Sequence, residues 1–327
     1  MHILIFNNTA IPALKYGGTE RVIWWLGKAL VKAGHQVTFL VAKGSYSDFA
    51  QVIEFDPARN IQSQIPSDID IVHAHCPITE PLIKQPTLYT IHGATPYGTL
   101  LPLNSVFVSK NHAQRHGSTS YIHNGLDFED YGNPNMHESR NYFHFLGKAA
   151  WRIKNVKGAI SIATACKEQL AVIGGHRLNF KMGFRFTPHL NIHFFGMLGG
   201  EIKNEILRHS KGLIFPVLWH EPFGIAITES LYFGCPIFGT PYGSLPELVP
   251  PSVGFLSASK GELIHHIQSS SYDPEVCHTY VVNNFDIKQK AQEYLHLYQR
   301  VLNGESLNIT HPTLQHQQTE KFLPFYD

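Results

Sequence analysis

The sequence predicts an α/β protein of two domains, each built on a parallel sheet. Three observations carry this reading. The chain has 327 residues, more than one hydrophobic core usually organises. Short β-branched runs alternate with segments of helical period, the arrangement that builds parallel sheets. That alternation restarts after a polar stretch over 130–140, which holds Gly132 and Pro134 and reads as a linker.

In the first half, residues 2–6 read as a strand and lead to Tyr16-Gly17-Gly18-Thr19-Glu20. Thr19 is placed to cap a helix over 20–33, where Val22, Ile23, Leu26 and Leu30 recur at helical spacing. Gly34-His35 ends it, and 36–42 is a second strand, completing a right-handed crossover unit. Gly17 and Gly18 are no dinucleotide fingerprint, because Gly-x-Gly-x-x-Gly is absent. Locally two readings stay open: a tight turn, or backbone N–H groups offered to a phosphate or an acceptor. Further strands follow at 51–55, 69–73, 87–91 and 105–108. His73-Ala74-His75 closes one of them; the two rings are expected on opposite faces, in structural roles and not as a metal pair. His92 ends another strand, and the carboxyl ends of parallel strands line the cleft in open α/β sheets. Ser109 caps a short helix that ends near Gly117, and His123-Asn124-Gly125-Leu126-Asp127 follows a short strand over 120–122.

The second half restarts with a strand over 142–146. Lys148, Arg152, Lys154 and Lys157 then place four cations within ten residues, ahead of a helix that begins by Gly158. Such a cluster beside a helix N-terminus suits a diphosphate, and a solvated basic loop is the competing reading. Strands at 170–173 and 191–195 flank an irregular segment, 176–189, with no assignment. A helix over 201–209, a strand over 212–215 and a strand over 236–238 continue the pattern. A last helix over 287–302 carries Ala291, Tyr294, Leu295, Tyr298 and Leu302 at helical spacing. The tail, 304–327, is polar with late aromatics and reads as loose, or docked on a neighbour or a membrane surface.

The organising stretch is 220–234, His-Glu-Pro-Phe-Gly-Ile-Ala-Ile-Thr-Glu-Ser-Leu-Tyr-Phe-Gly. Pro222 sits at a helix entry, Gly224 opens the helix and Gly234 ends it. The free N–H groups of such a helix mouth and its dipole attract anions. Glu221 lies ahead of the mouth, and Glu229, five residues past Gly224, sits ~7.5 Å along the axis. An extended ligand could rest its phosphates on the N–H groups and meet an acid at each end. Glycoside hydrolysis needs two carboxyls around one bond, which this pair is poorly placed to supply.

Composition excludes some classes. A net charge of +1 offers no broad field for nucleic acid. No apolar run is long enough to span a bilayer. The first residues are too short for a leader and read as a strand, so the asparagine sequons at Asn7 and Asn308 carry no weight. The four scattered cysteines show no metal spacing and read as reduced thiols of a cytoplasmic protein.

Residues 220–234 resemble the Glu-x7-Glu signature of retaining glycosyltransferases of family 4, the glycosyl transferases group 1. That family has the GT-B fold, two facing Rossmann-like domains, and the likeness extends over most of the chain. It implies that Glu221 binds donor-sugar hydroxyls and Glu229 the ribose, with Phe223, Gly224 and Ile225 against the sugar and diphosphate. It places Gly17 and Gly18 beside the diphosphate and acceptor, His92 near the transferred sugar, and Met197 and Leu198 against the base. The family's Gly-Arg becomes Gly147-Lys148 here, which gives up bidentate geometry. The loop is also longer, so Lys154 and Lys157 compete for the family's second cation; Lys154, six residues past Lys148, fits that spacing better. Gly243-Ser244-Leu245-Pro246-Glu247 resembles a Gly-Gly-x-Pro-Glu element that supports the donor site, with Ser244 in place of a glycine.

The expected division is 1–141 for the acceptor-side domain with its linker, 142–286 for the donor domain, 287–303 for a helix crossing back to the first domain, and 304–327 for the tail. The expected activity is metal-independent, retaining transfer of a hexosyl unit to a carbohydrate or lipid-linked hydroxyl, in glycan or lipopolysaccharide assembly. No cofactor is expected beyond the donor, with a UDP-sugar favoured. The expected location is the cytoplasm, extending to peripheral contact with the inner face of a membrane. A nucleotide-sugar epimerase of the same fold and a non-catalytic nucleotide-sugar-binding protein are the rivals.

Overall fold

Twelve short strands, most of them apolar and buried, assemble as two parallel sheets of six among the described residues. A computed structural model describes residues 1–13, 17–78, 83–180 and 182–327, so Tyr16 of the glycine turn lies outside the described residues. The chain divides into two units, Met1–Asp127 with Phe285–Gln317, and Phe128–Asn284 with Gln318–Asp327.

The first unit contains β1 (His2–Phe6), α1 (Gly18–Lys32), β2 (Gln36–Val41), β3 (Gln51–Glu54), β4 (Ile71–Ala74), β5 (Thr87–Ile91), β6 (Ser105–Phe107) and α2 (Lys110–Arg115). Its sheet runs β3-β2-β1-β4-β5-β6, with every pair parallel. The order reverses at β1, which pairs with both β2 and β4. In open α/β sheets ligands bind outside the carboxyl ends of the strands at such a switch point. Val22, Ile23, Trp25, Leu26, Ala29 and Leu30 form the buried face of α1. Helix Ile287–Leu302 packs on α1, and its Tyr294 and Tyr298 hydroxyls bond Thr90 and His73.

The second unit contains β7 (Tyr142–Leu146), α3 (Val156–Ala165), β8 (Leu170–Ile173), the hairpin strands β9 (Leu178–Asn179) and β10 (Arg185–Phe186), β11 (Ile192–Phe194), α4 (Gly200–Arg208), β12 (Ser210–Phe215), α5 (Ile225–Tyr232), β13 (Ile237–Gly239), α6 (Leu245–Leu248), β14 (Gly254–Leu256), α7 (Lys260–Ser269) and α8 (Pro274–Asn284). Its sheet runs β11-β8-β7-β12-β13-β14, again parallel, and reverses at β7. Its core joins Phe143, Phe145, Ile162, Leu170, Val172 and Ile214. Among the described residues no helix is long and apolar enough to cross a membrane.

Three expectations are corrected here. The break between the units falls after Asp127 and not after 141. Residues over 128–140 are held to the second unit: Phe128 stacks on Tyr232 at 4.9 Å, and Arg140 donates to the carbonyls of Ser210 and Phe233, each at 2.7 Å. The tail is not loose. Its first part joins the first unit, where the Leu101 N–H bonds the Pro312 carbonyl. Its last ten residues join the second, where the Leu323 N–H bonds the Leu218 carbonyl. Thr19 does not cap α1. The helix starts at Gly18 and its cap position is Gly17, which has no side chain to cap it.

Candidate functional site

The loops that leave β7 and β12 bracket the switch point of the second sheet, and between them they carry most of the expected donor-site residues. The β7 loop makes a single turn of 3-10 helix, Arg152–Lys154, and then Asn155 takes a left-handed conformation. Asn155 caps α3 by accepting from the Gly158 N–H at 3.0 Å, and it ties the β12 loop by donating to the Pro216 carbonyl at 2.9 Å. A β-carbon on Gly158 would come within 2.4 Å of the Asn155 amide, so this glycine serves the cap. The turn buries Lys154 and leaves Lys157 exposed.

Lys154 meets Glu221. Its Nζ donates to Glu221 Oε2 at 2.5 Å, and the Trp219 indole N–H donates to the same oxygen at 2.9 Å. The ammonium also lies over the Trp219 ring, 5.1 Å from its centroid. Both side chains of the pair are at most a tenth exposed. Glu221 is fixed from behind by the 243–244 segment. The Ser244 N–H bonds the Glu221 carbonyl at 2.9 Å, and the Ser244 hydroxyl bonds the Phe223 carbonyl at 2.7 Å. Gly243 has φ +66°, and a β-carbon there would sit 2.3 Å from the backbone of Glu221. Only glycine meets both the left-handed backbone and that approach.

Gly224, at φ +85°, is the cap position of α5, and among the described residues it offers this helix no side-chain cap bond. Gly224, Ile225 and Ala226 are half-exposed while Phe223 is buried, so the helix mouth is open and its floor is apolar. Helix N–H groups of a first turn lack intrahelical partners, and an uncapped, accessible first turn is an anion site.

Glu229 is not a solvated residue of an amphipathic helix. It is 1% exposed, and its Oε1 accepts from the Tyr131 hydroxyl at 2.9 Å and from Lys203 Nζ. Lys203, on α4, is itself buried. Tyr131, Lys203 and Trp219 were not singled out in the sequence. Trp219 stands two residues before Glu221 and was within reach of inspection, whereas Tyr131 and Lys203 carry no local signal. Lys148 is half-buried with its ammonium 4.9 Å from the Trp151 ring centroid. Met197 and Leu198 are half-buried in the loop after β11.

Gly17 and Gly18 belong to the first unit, at the start of the helix that follows the switch-point strand β1, and His92 directly follows β5 of the same sheet. A β-carbon on Gly17 would lie 2.6 Å from the Glu20 carboxylate and 2.7 Å from the Ala13 β-carbon, so a larger residue there would have to displace Ala13. His73 and His75 do not face opposite ways: their ring centroids are 4.0 Å apart, as side chains two apart on a strand share a face. His73 is fully satisfied, by Tyr298 and Thr90, each at 2.7 Å. His75 Nδ1 bonds His92 Nε2 at 2.8 Å, while His75 Nε2 is buried with no partner among the described residues. A buried N–H without an acceptor costs more than a buried lone pair without a donor. His75 therefore carries its proton on Nδ1 and donates it, which leaves His92 protonated on Nδ1. Burial holds His92 down to about 4, and burial first, then the neighbouring His73 and His92, holds His75 well below the ordinary histidine range. Both rings are neutral at neutral pH. Among the described residues no cluster of three or more His, Cys, Asp or Glu is placed to hold a metal.

Residues 128–284 match the family model described as glycosyl transferases group 1. No curated protein sequence matches the chain. Among solved structures, it is similar to AviGT4, a glycosyltransferase involved in Avilamycin A biosynthesis, at 19% identity and TM-score 0.77 over 93% of this chain and 99% of that one. It is similar to sucrose-phosphate synthase from Thermosynechococcus elongatus at 14% identity and TM-score 0.70, covering 93% and 100%. It is similar to HepE of Anabaena, solved with UDP-glucose, at 14% identity and TM-score 0.61, covering 90% and 99%. These likenesses establish the GT-B fold.

Proposed function

We propose, from the match of residues 128–284 to the glycosyl transferases group 1, that this chain is a glycosyltransferase of that group and works as follows. It moves a hexosyl unit from a nucleotide diphosphate sugar, with a UDP-sugar favoured, to a hydroxyl of a carbohydrate or lipid-linked acceptor. It does so with retention and without a metal, in glycan or lipopolysaccharide assembly. The observation that carries the reading is the buried Lys154–Glu221 pair set against the open, uncapped mouth of α5. HepE, solved with UDP-glucose, supports the choice of donor class.

The donor diphosphate rests on the N–H groups of the α5 mouth. Lys154, which has three donors and spends one on Glu221, turns the others to the phosphates, and Lys148 adds a second cation. Lys157, exposed on the first turn of α3, has no part in this. Glu221 accepts from the sugar hydroxyls, and Phe223 and Ile225 pack beside it. Glu229, oriented by Lys203 and Tyr131, takes the ribose hydroxyls, and Met197 and Leu198 flank the base. As the bond from C1 to the phosphate oxygen breaks, the negative charge that develops on the diphosphate is met by groups already in place. The acceptor hydroxyl attacks C1 from the same face, and its proton passes to the departing phosphate oxygen. Gly17 and Gly18 bring backbone close to the diphosphate and acceptor. His92 contributes a neutral Nδ1–H donor to a sugar hydroxyl and does not act as a base.

Thermal-shift screening against a panel of nucleotide sugars tests the donor class. A true donor at a hundred times its Kd adds about 2.7 kcal/mol to stability, and a flat panel overturns the reading. Isotope exchange within the free nucleotide sugar, without acceptor, identifies an epimerase instead. Transfer that survives EDTA supports metal independence.

A further inference from the structure

The hairpin between β8 and β11 has its polarity inside out. Leu178, Phe180, Met182, Phe184 and Phe186 hold alternate positions and are all exposed, Phe180 to 73% and Phe184 to 67%. The alternate residues Arg185 and Thr187 point inward and are buried. The register agrees, with Leu178 opposite Phe186 and Asn179 opposite Arg185. A half-buried strand normally turns its apolar side chains to the protein and its polar ones to water. Isolated exposed apolar residues need no explanation, but a contiguous set marks an interaction surface.

The hairpin is also anchored. Arg185 donates to the Thr187 hydroxyl and the His176 carbonyl, both at 3.0 Å. Arg177 donates to the carbonyls of Thr187, His189 and Ile192 at 2.6–2.9 Å. Both guanidinium groups lie over Phe194. Two arginines thus fix the inward face and hold the apolar face out. At its base is a cavity of ≈ 350 Å³, walled by Met182 and Phe184 on the hairpin and by Trp151, Arg152, Lys157 and Phe322 opposite. Arg152 and Lys157 are exposed, and no Asp or Glu is among the described lining residues.

We propose that this hairpin docks the second unit on an anionic lipid surface, with Phe180, Met182 and Phe184 entering the boundary between headgroups and acyl chains and Arg152 and Lys157 facing lipid phosphates. Apolar side chains flanked by cations, without acids, are what such a surface accepts. A second copy of the chain fits less well. It would bring the same cations and no complementary charge, and a stable protein interface takes roughly 20–30 residues a side, several times what this hairpin offers. The proposal goes beyond the donor assignment and does not depend on it.

Flotation of the full chain with vesicles decides the matter. One set contains phosphatidylcholine alone, and the other equal parts of phosphatidylcholine and phosphatidylglycerol. The protein is expected to float with the anionic set only, and to be released by salt. The double variant Phe180→Ser/Phe184→Ser, altered only on the outward face, should bind roughly tenfold or more weakly. Arg152→Gln/Lys157→Gln should lose the preference for the anionic set. A wild-type chain that floats with neither set overturns the proposal, as does a serine variant that floats as well as the wild type. So does sedimentation of the wild type as a dimer that the serine variant dissociates, which would make a second copy the occupant. Donor thermal shifts are read separately, so failure here leaves the transferase reading standing.

Discussion

Replacing Lys154 by Met tests the buried pair at the heart of the donor site. The ammonium and the Glu221 carboxylate are 2.5 Å apart, with side chains 10% and 7% exposed. With the lysine gone, Glu221 keeps the Trp219 indole N–H as its side-chain donor among the described residues, in a site that water hardly reaches. Breaking a buried pair from one side costs about 3–5 kcal/mol, because the remaining charge is stranded. For a unit of this size that is roughly 2–4 °C per kcal/mol, so the melting temperature should fall by roughly 6–20 °C. Removing both charges, in Lys154→Met/Glu221→Gln, strands neither, and its loss should be well below the sum of the two single losses. Urea unfolding of the four proteins gives the coupling. Single losses under about 1 kcal/mol that disappear in high salt would mean an exposed pair and refute the argument. Transfer assays on the same proteins separate fold from function: the double variant should be folded and inactive. An active double variant would remove both residues from the site.

Other expectations follow from the same geometry. Gly243→Ala forces a β-carbon to 2.3 Å from the Glu221 backbone at a left-handed φ; it should cost about 1–3 kcal/mol and most of the transfer rate, and a normal rate would deny that this glycine seats Glu221. His144, fully buried between Ser210 and Ser230, is pushed to about 3, by burial first and then by Arg140. Its neutral form favours the folded state, so stability is full above about 6.5 and falls as pH drops toward 3, by about 4–5 kcal/mol over that window. His144→Asn should flatten the acid limb of the unfolding profile, and an unchanged limb would contradict this. His92, held to about 4 by burial, should give no break in kcat/KM between pH 8 and 5; a break that vanishes in His92→Gln would reassign it as a titrating group. Glu229→Gln should raise the donor KM more than it lowers kcat, and the reverse pattern would contradict a ribose role.

Much of the fold was legible because each strand is a short apolar run bounded by turn residues. β1, β5, β7, β8 and helix Ile287–Leu302 lie where the pattern puts them. The stretch after Leu248 was passed over although Ser259 and Glu262 mark the start of α7, where the Ser259 hydroxyl accepts from the Glu262 N–H. The polar run over 128–140 misled for a physical reason. Its glycine, proline and charges look like a linker, but Tyr131 and Arg140 are spent on partners 70 to 98 residues away. The same limit applies at the site. Glu221, Gly224 and Glu229 share one contiguous motif and can be found by spacing. Lys203 comes from another helix, and nothing local announces that its charge is buried on Glu229. Lys154 could be set apart from Lys157 only by spacing; burial of one and exposure of the other is a tertiary fact.

The most direct test is a crystal structure of the protein with UDP. The account predicts the diphosphate within hydrogen-bond reach of the N–H groups at Gly224, Ile225 and Ala226, with Lys154 Nζ turned onto a phosphate oxygen and the ribose at Glu229. UDP bound elsewhere, with Lys154 still closed on Glu221 over an empty helix mouth, would contradict it.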